Sequence, residues 1–184
     1  MCFSGCSKPN PPGPTSSGPI TCIAGCPDHP SYDPASWNGS PIKTSTNCYA
    51  YAANDRTGHP AGGKPQPGVK CGNPAKSASC SEVGRAAQCD GMTPAPNPPT
   101  PKPGYYPVAL VMDPGVDYHW YRLDNNGTWS HKPGHGDATN VDASGKPITN
   151  PETANRNYSG TSRVNYSQFC GYYYVPASGS TTAP

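Results

Sequence analysis

The chain is poor in the residues that build an ordinary core. Leu, Ile, Val and Phe together supply 16 of its 184 residues, far below the roughly one-fifth expected of a protein held by an aliphatic interior. Charge is scarce as well. Its 13 basic and 11 acidic side chains leave a net of +2, with no Lys/Arg cluster, which argues against nucleic acid as a partner. No apolar run approaches the ~18 residues of a spanning helix, so a membrane span is excluded. Met1-Cys2-Phe3-Ser4 shows neither a basic start nor an apolar stretch, so no signal peptide is visible in this numbering.

What the chain does have is 26 Pro, 21 Gly, 12 Tyr, 3 Trp and 9 Cys. Pro and Gly at that level border on low complexity, but disorder favours high net charge and few aromatics. A folded part is therefore expected, with a core of aromatic rings, small residues and cross-links. Cysteine at this density reads as a disulfide framework and places the chain in an oxidising, extracellular compartment. Nine is odd, and Cys48, at the start of the most helix-like stretch, is the candidate for the thiol left over. The other eight allow four bridges of open connectivity. Cys2-x3-Cys6 and Cys22-x3-Cys26 could bridge to each other and staple the N-terminal region. The sequons at Asn38, Asn126, Asn157 and Asn165 are glycosylation candidates, usable on a eukaryotic-type export route.

Residues 1–45 read as a Cys/Pro-rich N-terminal arm, 46–176 as an α+β domain, and 177–184 as a Ser/Thr/Pro tail. Within the domain, 46–55 predicts a short helix capped by Thr46 or Asn47 and ended by Gly58-His59-Pro60. A second helix starts at the capping box Ser79-Cys80-Ser81-Glu82 and stops at Asp90-Gly91. Residues 94–107 form a proline linker, expected to be extended. Strands follow at 108–112, 117–123, 128–131 and 168–175, joined by turns at Asp113-Pro114-Gly115 and Asp124-Asn125-Asn126-Gly127. Helices followed by antiparallel strands make the fold class α+β, disulfide-rich, with Pro-rich extensions.

The residues with chemical potential are Cys48 at a helix start, where the helix dipole lowers a thiol's pKa, and His119 and His131 on successive strands. A cysteine at a helix N-terminus followed by a hairpin carrying two histidines resembles the papain-like NlpC/P60 and CHAP cysteine hydrolases. The resemblance covers Cys48 and the 106–131 region, about a fifth of the chain. It implies a papain-like fold with Cys48 as nucleophile, His119 as base and His131 as the group that orients it. The oxyanion would be held by the Cys48 backbone N–H and the Asn47 side chain. Where that family carries Asp-Cys-Ser-Gly, this chain reads Asn47-Cys48-Tyr49-Ala50. Two histidines on neighbouring strands cooperate only from one face. A two-residue Asn126-Gly127 turn would separate them. A three-residue Asn125-Asn126-Gly127 loop, with Gly127 left-handed, pairs Tyr121 with His131 and puts His119 on their face.

Two functions of different class are consistent with these features. The first is a secreted cysteine-dependent amide hydrolase acting on a peptide or cell-wall substrate, with no cofactor and no metal. His131 and His135 imitate a metal pair, but Pro133 between them forbids a regular helix. The alternative is an extracellular structural or filament-forming assembly protein, whose partners are copies of itself reached through the Pro-rich arms. An enzyme needs Cys48 free and within hydrogen-bond reach of His119, whereas an assembly protein leaves it buried or bridged.

Overall fold

A computed structural model describes residues 26–57 and 64–177. The expected pairing of Cys2 and Cys6 with Cys22 and Cys26, the Gly58-His59-Pro60 stop and the tail from 178 onward lie outside the described residues, although Cys26 is disulfide-bonded. The elements run α1 (Ala35–Asn38), α2 (Ile42–Ser45), α3 (Cys48–Ala52), α4 (Cys80–Cys89), β1 (Thr93–Ala95), β2 (Tyr105–Asp113), β3 (Asp117–Leu123), β4 (Trp129–His131) and β5 (Gln168–Pro176). The five strands form one antiparallel sheet in the order β1-β5-β2-β3-β4. The architecture is α+β with short helices.

β2 is the central strand because its run Val108-Ala109-Leu110-Val111-Met112 is apolar on both faces. Val108, Leu110 and Met112 point to one side, with Tyr49 and Val83 from α3 and α4 and with Trp120 and Tyr173. Ala109 and Val111 point to the other, with Tyr121, Trp129, Ile148 and Tyr172, where the long 132–167 connection closes the face. Tyr and Trp supply the bulk that Leu and Ile supply elsewhere. Each buried ring removes some 150–250 Å² from water, so few aliphatics are needed.

Both helix caps follow the sequence. The Asn47 side chain accepts from Ala50 N–H at 3.0 Å and that of Ser79 accepts from Glu82 N–H at 3.3 Å, each quenching an otherwise unpaired donor. The N-terminal boundary differs from expectation. Residues 26–45 include two short helices, and Trp37, 2% exposed, packs edge-on against Tyr51 at 4.7 Å. The proline-rich 94–107 stretch is not wholly linker either. Its first residues pair with β5 as β1 and its last open β2.

Two disulfides brace this frame. Cys71–Cys89 closes 18 residues and Cys80–Cys170 closes 90; the loop-entropy account gives about 3 and about 4–5 kcal/mol. A bulge makes the second possible. Tyr172 packs on the 132–167 side, and simple alternation would send Cys170 the same way. Between Leu110 and Val111 the register slips: Leu110 faces Gly171, Val111 faces Phe169, and Cys170 is the extra residue. The slip turns Cys170 to the helical face, where Cys80 of α4 meets it.

Candidate functional site

The β3–β4 hairpin adopts the three-residue register. Tyr121 pairs with His131, Arg122 with Ser130 and Leu123 with Trp129, and Gly127 takes a φ of 79°. His119 and His131 therefore share a face, and their rings meet: Nε2 of His119 lies 2.8 Å from Nδ1 of His131. The tautomers follow from the next partner. His131 Nε2 is 3.0 Å from the Val141 carbonyl, which can only accept, so Nε2 carries the hydrogen. With His131 neutral its Nδ1 is an acceptor, and His119 donates to it from Nε2. The lone pair of His119 is left on Nδ1.

The pair is roofed by aromatic rings. Tyr166 stacks on His119 at 5.2 Å, Tyr121 meets it edge-on at 5.1 Å, and Tyr158 and Val164 close the small cavity of about 40 Å³ above the rings. Burial holds both imidazoles neutral. It pushes His131 down to about 4 and His119 well below the ordinary value, the neighbouring His131 adding to the effect on His119.

Cys48 is free and begins α3, as expected, but its surroundings do not activate it. Burial raises the thiol to about 12, and the Asp117 carboxylate pushes the same way. A five-residue helix offers little dipole to offset that. The thiol contacts the Tyr118 carbonyl at 4.0 Å. Cys48 shares the helical face with Trp120, and His119, one residue earlier on the strand, projects to the opposite face. The structure thus brings His119 and His131 together; among the described residues, it gives Cys48 no hydrogen bond to either. The Asn47 side chain, the expected oxyanion donor, is engaged on both ends, by Ala50 N–H and, 2.7 Å away, by the Pro65 carbonyl.

The most connected polar site is one that the sequence reading did not single out. Arg122 and Asp124, both with fully buried side chains, form an ion pair at 2.8 Å. The guanidinium also donates to Tyr51 O at 3.2 Å, Asn54 Oδ1 at 3.1 Å, Ser31 O at 3.2 Å and Tyr51 Oη at 3.1 Å. Ser130 Oγ donates to the free oxygen of Asp124. Tyr51 Oη, 2.7 Å from Ser130 Oγ, is then the donor of that contact. A closed ring results: Arg122 to Tyr51, Tyr51 to Ser130, Ser130 to Asp124, and Asp124 back to Arg122. It ties α3 and the Ser31 segment to the hairpin. Beside it Lys132, also buried, donates to the carbonyls of Lys43, Thr46 and Gly134 at 2.8, 3.2 and 2.8 Å, binding the end of α2 to the same hairpin. Burial lowers its pKa to about 8. The available signal was the i, i+2 spacing of Arg122 and Asp124, which puts opposite charges on one strand face.

Among the described residues, no group of three or more His, Cys, Asp or Glu is placed to hold an ion, and none of their helices is long and apolar enough to cross a membrane. The arrangement is a set of neutral or internally compensated polar groups that lock a hairpin to its neighbours. Comparison with known proteins agrees with a chain built around its frame. It is 42% identical over 144 residues to insoluble matrix shell protein 1 of Ruditapes philippinarum, an alignment covering 78% of this chain and 88% of that protein. The chain belongs to the insoluble matrix shell protein 1 family. No family model matches the chain, and no solved structure matches it either. That relative is named for a shell matrix and for insolubility.

Proposed function

We propose that the chain is a structural component of an extracellular, shell-type matrix. In this reading the folded part is a disulfide-braced block, and the Pro-rich regions on either side make contacts with other copies. The observation that carries it is the 42% identity to a protein named for an insoluble shell matrix, spread over 88% of that protein. The disulfide framework supports an extracellular site, and the buried thiol supports a role that asks for no chemistry. The full chain, secreted and oxidised, should pass into sedimentable, detergent-resistant material on concentration. Removing residues 1–25, with Cys26→Ser so that no thiol is left orphaned, should keep it in solution with its near-ultraviolet circular dichroism intact. A full chain that stays monomeric at every concentration would overturn the proposal.

A second reading, the cysteine hydrolase of papain-like fold, has one observation in its favour. The His119 tautomer leaves its Nδ1 lone pair free, as a base for a thiol requires, and His131 orients the ring. For this reading Cys48 must become an accessible thiolate. Alkylation of the native protein at pH 7 tests it. Fast labelling of Cys48 that is lost in His119→Ala supports a hydrolase; a thiol that reacts only on unfolding sinks it.

A further inference from the structure

The four sequons are not equivalent once folded. Asn38 ends α1, is half-buried, and its amide oxygen accepts Ala138 N–H at 2.7 Å, which holds the side chain down against the 132–139 loop. Asn157 and Asn165 are exposed but face each other across an antiparallel bridge. The flanking bonds, Tyr158 N–H to Val164 O at 2.9 Å and Tyr166 N–H to Arg156 O at 3.2 Å, make this a non-hydrogen-bonded pair. Its side chains rise side by side about 5 Å apart, too close for two branched oligosaccharides.

Asn126 is free of both constraints. It stands exposed at the tip of the β3–β4 hairpin, and the following Gly127 has nothing near the place a Cβ would occupy. Its amide oxygen accepts from Thr128 N–H at 3.0 Å and from Thr128 Oγ at 2.7 Å. The sequon hydroxyl is thus already on the carbonyl side of the amide. Nδ2 points away with no partner among the described residues.

We propose that Asn126 is the principal N-glycosylation site of this protein. The donor is a polyprenyl-diphosphate-linked oligosaccharide of the secretory pathway. Nδ2 attacks the anomeric carbon, the bond from that carbon to the diphosphate oxygen breaks, the lipid diphosphate leaves with the electron pair, and Nδ2 gives up one proton. The folded hairpin then carries the sugar outward without displacing a side chain. Residues 26–30 also meet the hairpin at this tip, through Asn125 N–H to Pro30 O at 2.9 Å and Cys26 N–H to Asn125 O at 3.2 Å. The glycan therefore stands beside the root of the N-terminal region.

The test is secretion of the full chain from a eukaryotic host, followed by peptide-N-glycosidase F digestion in heavy-oxygen water and peptide mapping. The expected result is isotopically marked deamidation at Asn126 in most molecules, with little at Asn38. Asn126→Gln should remove the main mobility step while secretion and the circular dichroism spectrum stay unchanged. Thr128→Ala, which keeps the asparagine and removes the hydroxyl, should do the same. An unmodified Asn126 peptide overturns the proposal, as does a main glycan that survives both substitutions.

Discussion

Replacing Arg122 with Met tests the claim that the buried ring, more than the helices themselves, holds the N-terminal half onto the sheet. Met matches the length of the guanidinium stem but makes none of its hydrogen bonds. The variant strands the Asp124 carboxylate, whose side chain is fully buried and is the acceptor left unsatisfied; Tyr51 O keeps the backbone N–H of Asn54 at 3.1 Å, and the carbonyl of exposed Ser31 can turn to water. Each unsatisfied buried acceptor costs about 1–3 kcal/mol, and a broken buried ion pair costs about 3–5 kcal/mol in total. Against a whole-domain stability of about 5–15 kcal/mol that is a large fraction. Urea melts with the disulfides intact should show the unfolding free energy falling by about 3–5 kcal/mol, with the slope unchanged. Arg122→Met combined with Asp124→Leu should recover most of the loss, since no charge is then stranded. If Arg122→Met alone costs under about 1 kcal/mol, the ring behaves like a surface ion pair and the reasoning fails.

The histidine pair makes the fold acid-sensitive. His131 is held at about 4 against an ordinary 6.5, so the unfolded chain takes up its proton first. The His131 share of stability is complete above about pH 6.5 and falls by about 3 kcal/mol on going down to about pH 4; His131→Phe should lessen the slope of a pH series of melts, the buried His119 keeping the rest. Cys48, pushed up to about 12, should react with iodoacetamide at pH 8 far more slowly than a model thiol and at the model rate in denaturant; fast native labelling contradicts its burial. Removing the Cys80–Cys170 bridge by paired Ser substitutions should cost more than removing Cys71–Cys89, about 4–5 against about 3 kcal/mol, and equal losses in calorimetry would count against the loop-entropy argument. A Cβ on Gly84 of α4 would lie 2.3 Å from Tyr173 Oη. Gly84→Ala should therefore destabilise by about 1–3 kcal/mol despite the better helix propensity, and Tyr173→Phe in the same chain should restore much of it.

Local signals were the legible part of this protein. Ser79 caps where its side chain predicts, Asn47 takes the cap that was open to it or Thr46, and of the two turns open to the hairpin the Asn125-Asn126-Gly127 loop forms, which puts His119 and His131 together. Each of these is decided within a few residues of chain. What the sequence left obscure is long-range. Trp37 sits in a Pro-rich stretch with no periodicity, and its meeting with Tyr51 and Ala138 is one of several distant contacts that make that stretch part of the fold. Nothing near Arg122 in the sequence marks it as buried, because its partners Tyr51 and Ser31 are 71 and 91 positions away. The environment of Cys48 was equally hidden. A helix start suggests an activated thiol, but burial, a property of the packed whole, moves it the other way.

The two bridges also set how the block would respond to being pulled from its ends. Tension entering at Cys71 crosses to Cys89, runs back along α4 to Cys80, and leaves through Cys170. Unbridged, the chain from 71 to 170 could draw out to about 340 Å. Bridged, the same span is a short piece of helix between two cross-links whose Cα atoms are 5.8 and 5.3 Å apart, about 40 Å when fully extended. All of β1–β4 and the whole 132–167 connection are thus shielded from the load, whereas α1–α3 before Cys71 and the end of β5 after Cys170 lie in its path. In a stressed material the span from Cys71 to Cys170 would be nearly inextensible, and the yielding would fall to the α1–α3 region before it and to whatever joins one block to the next.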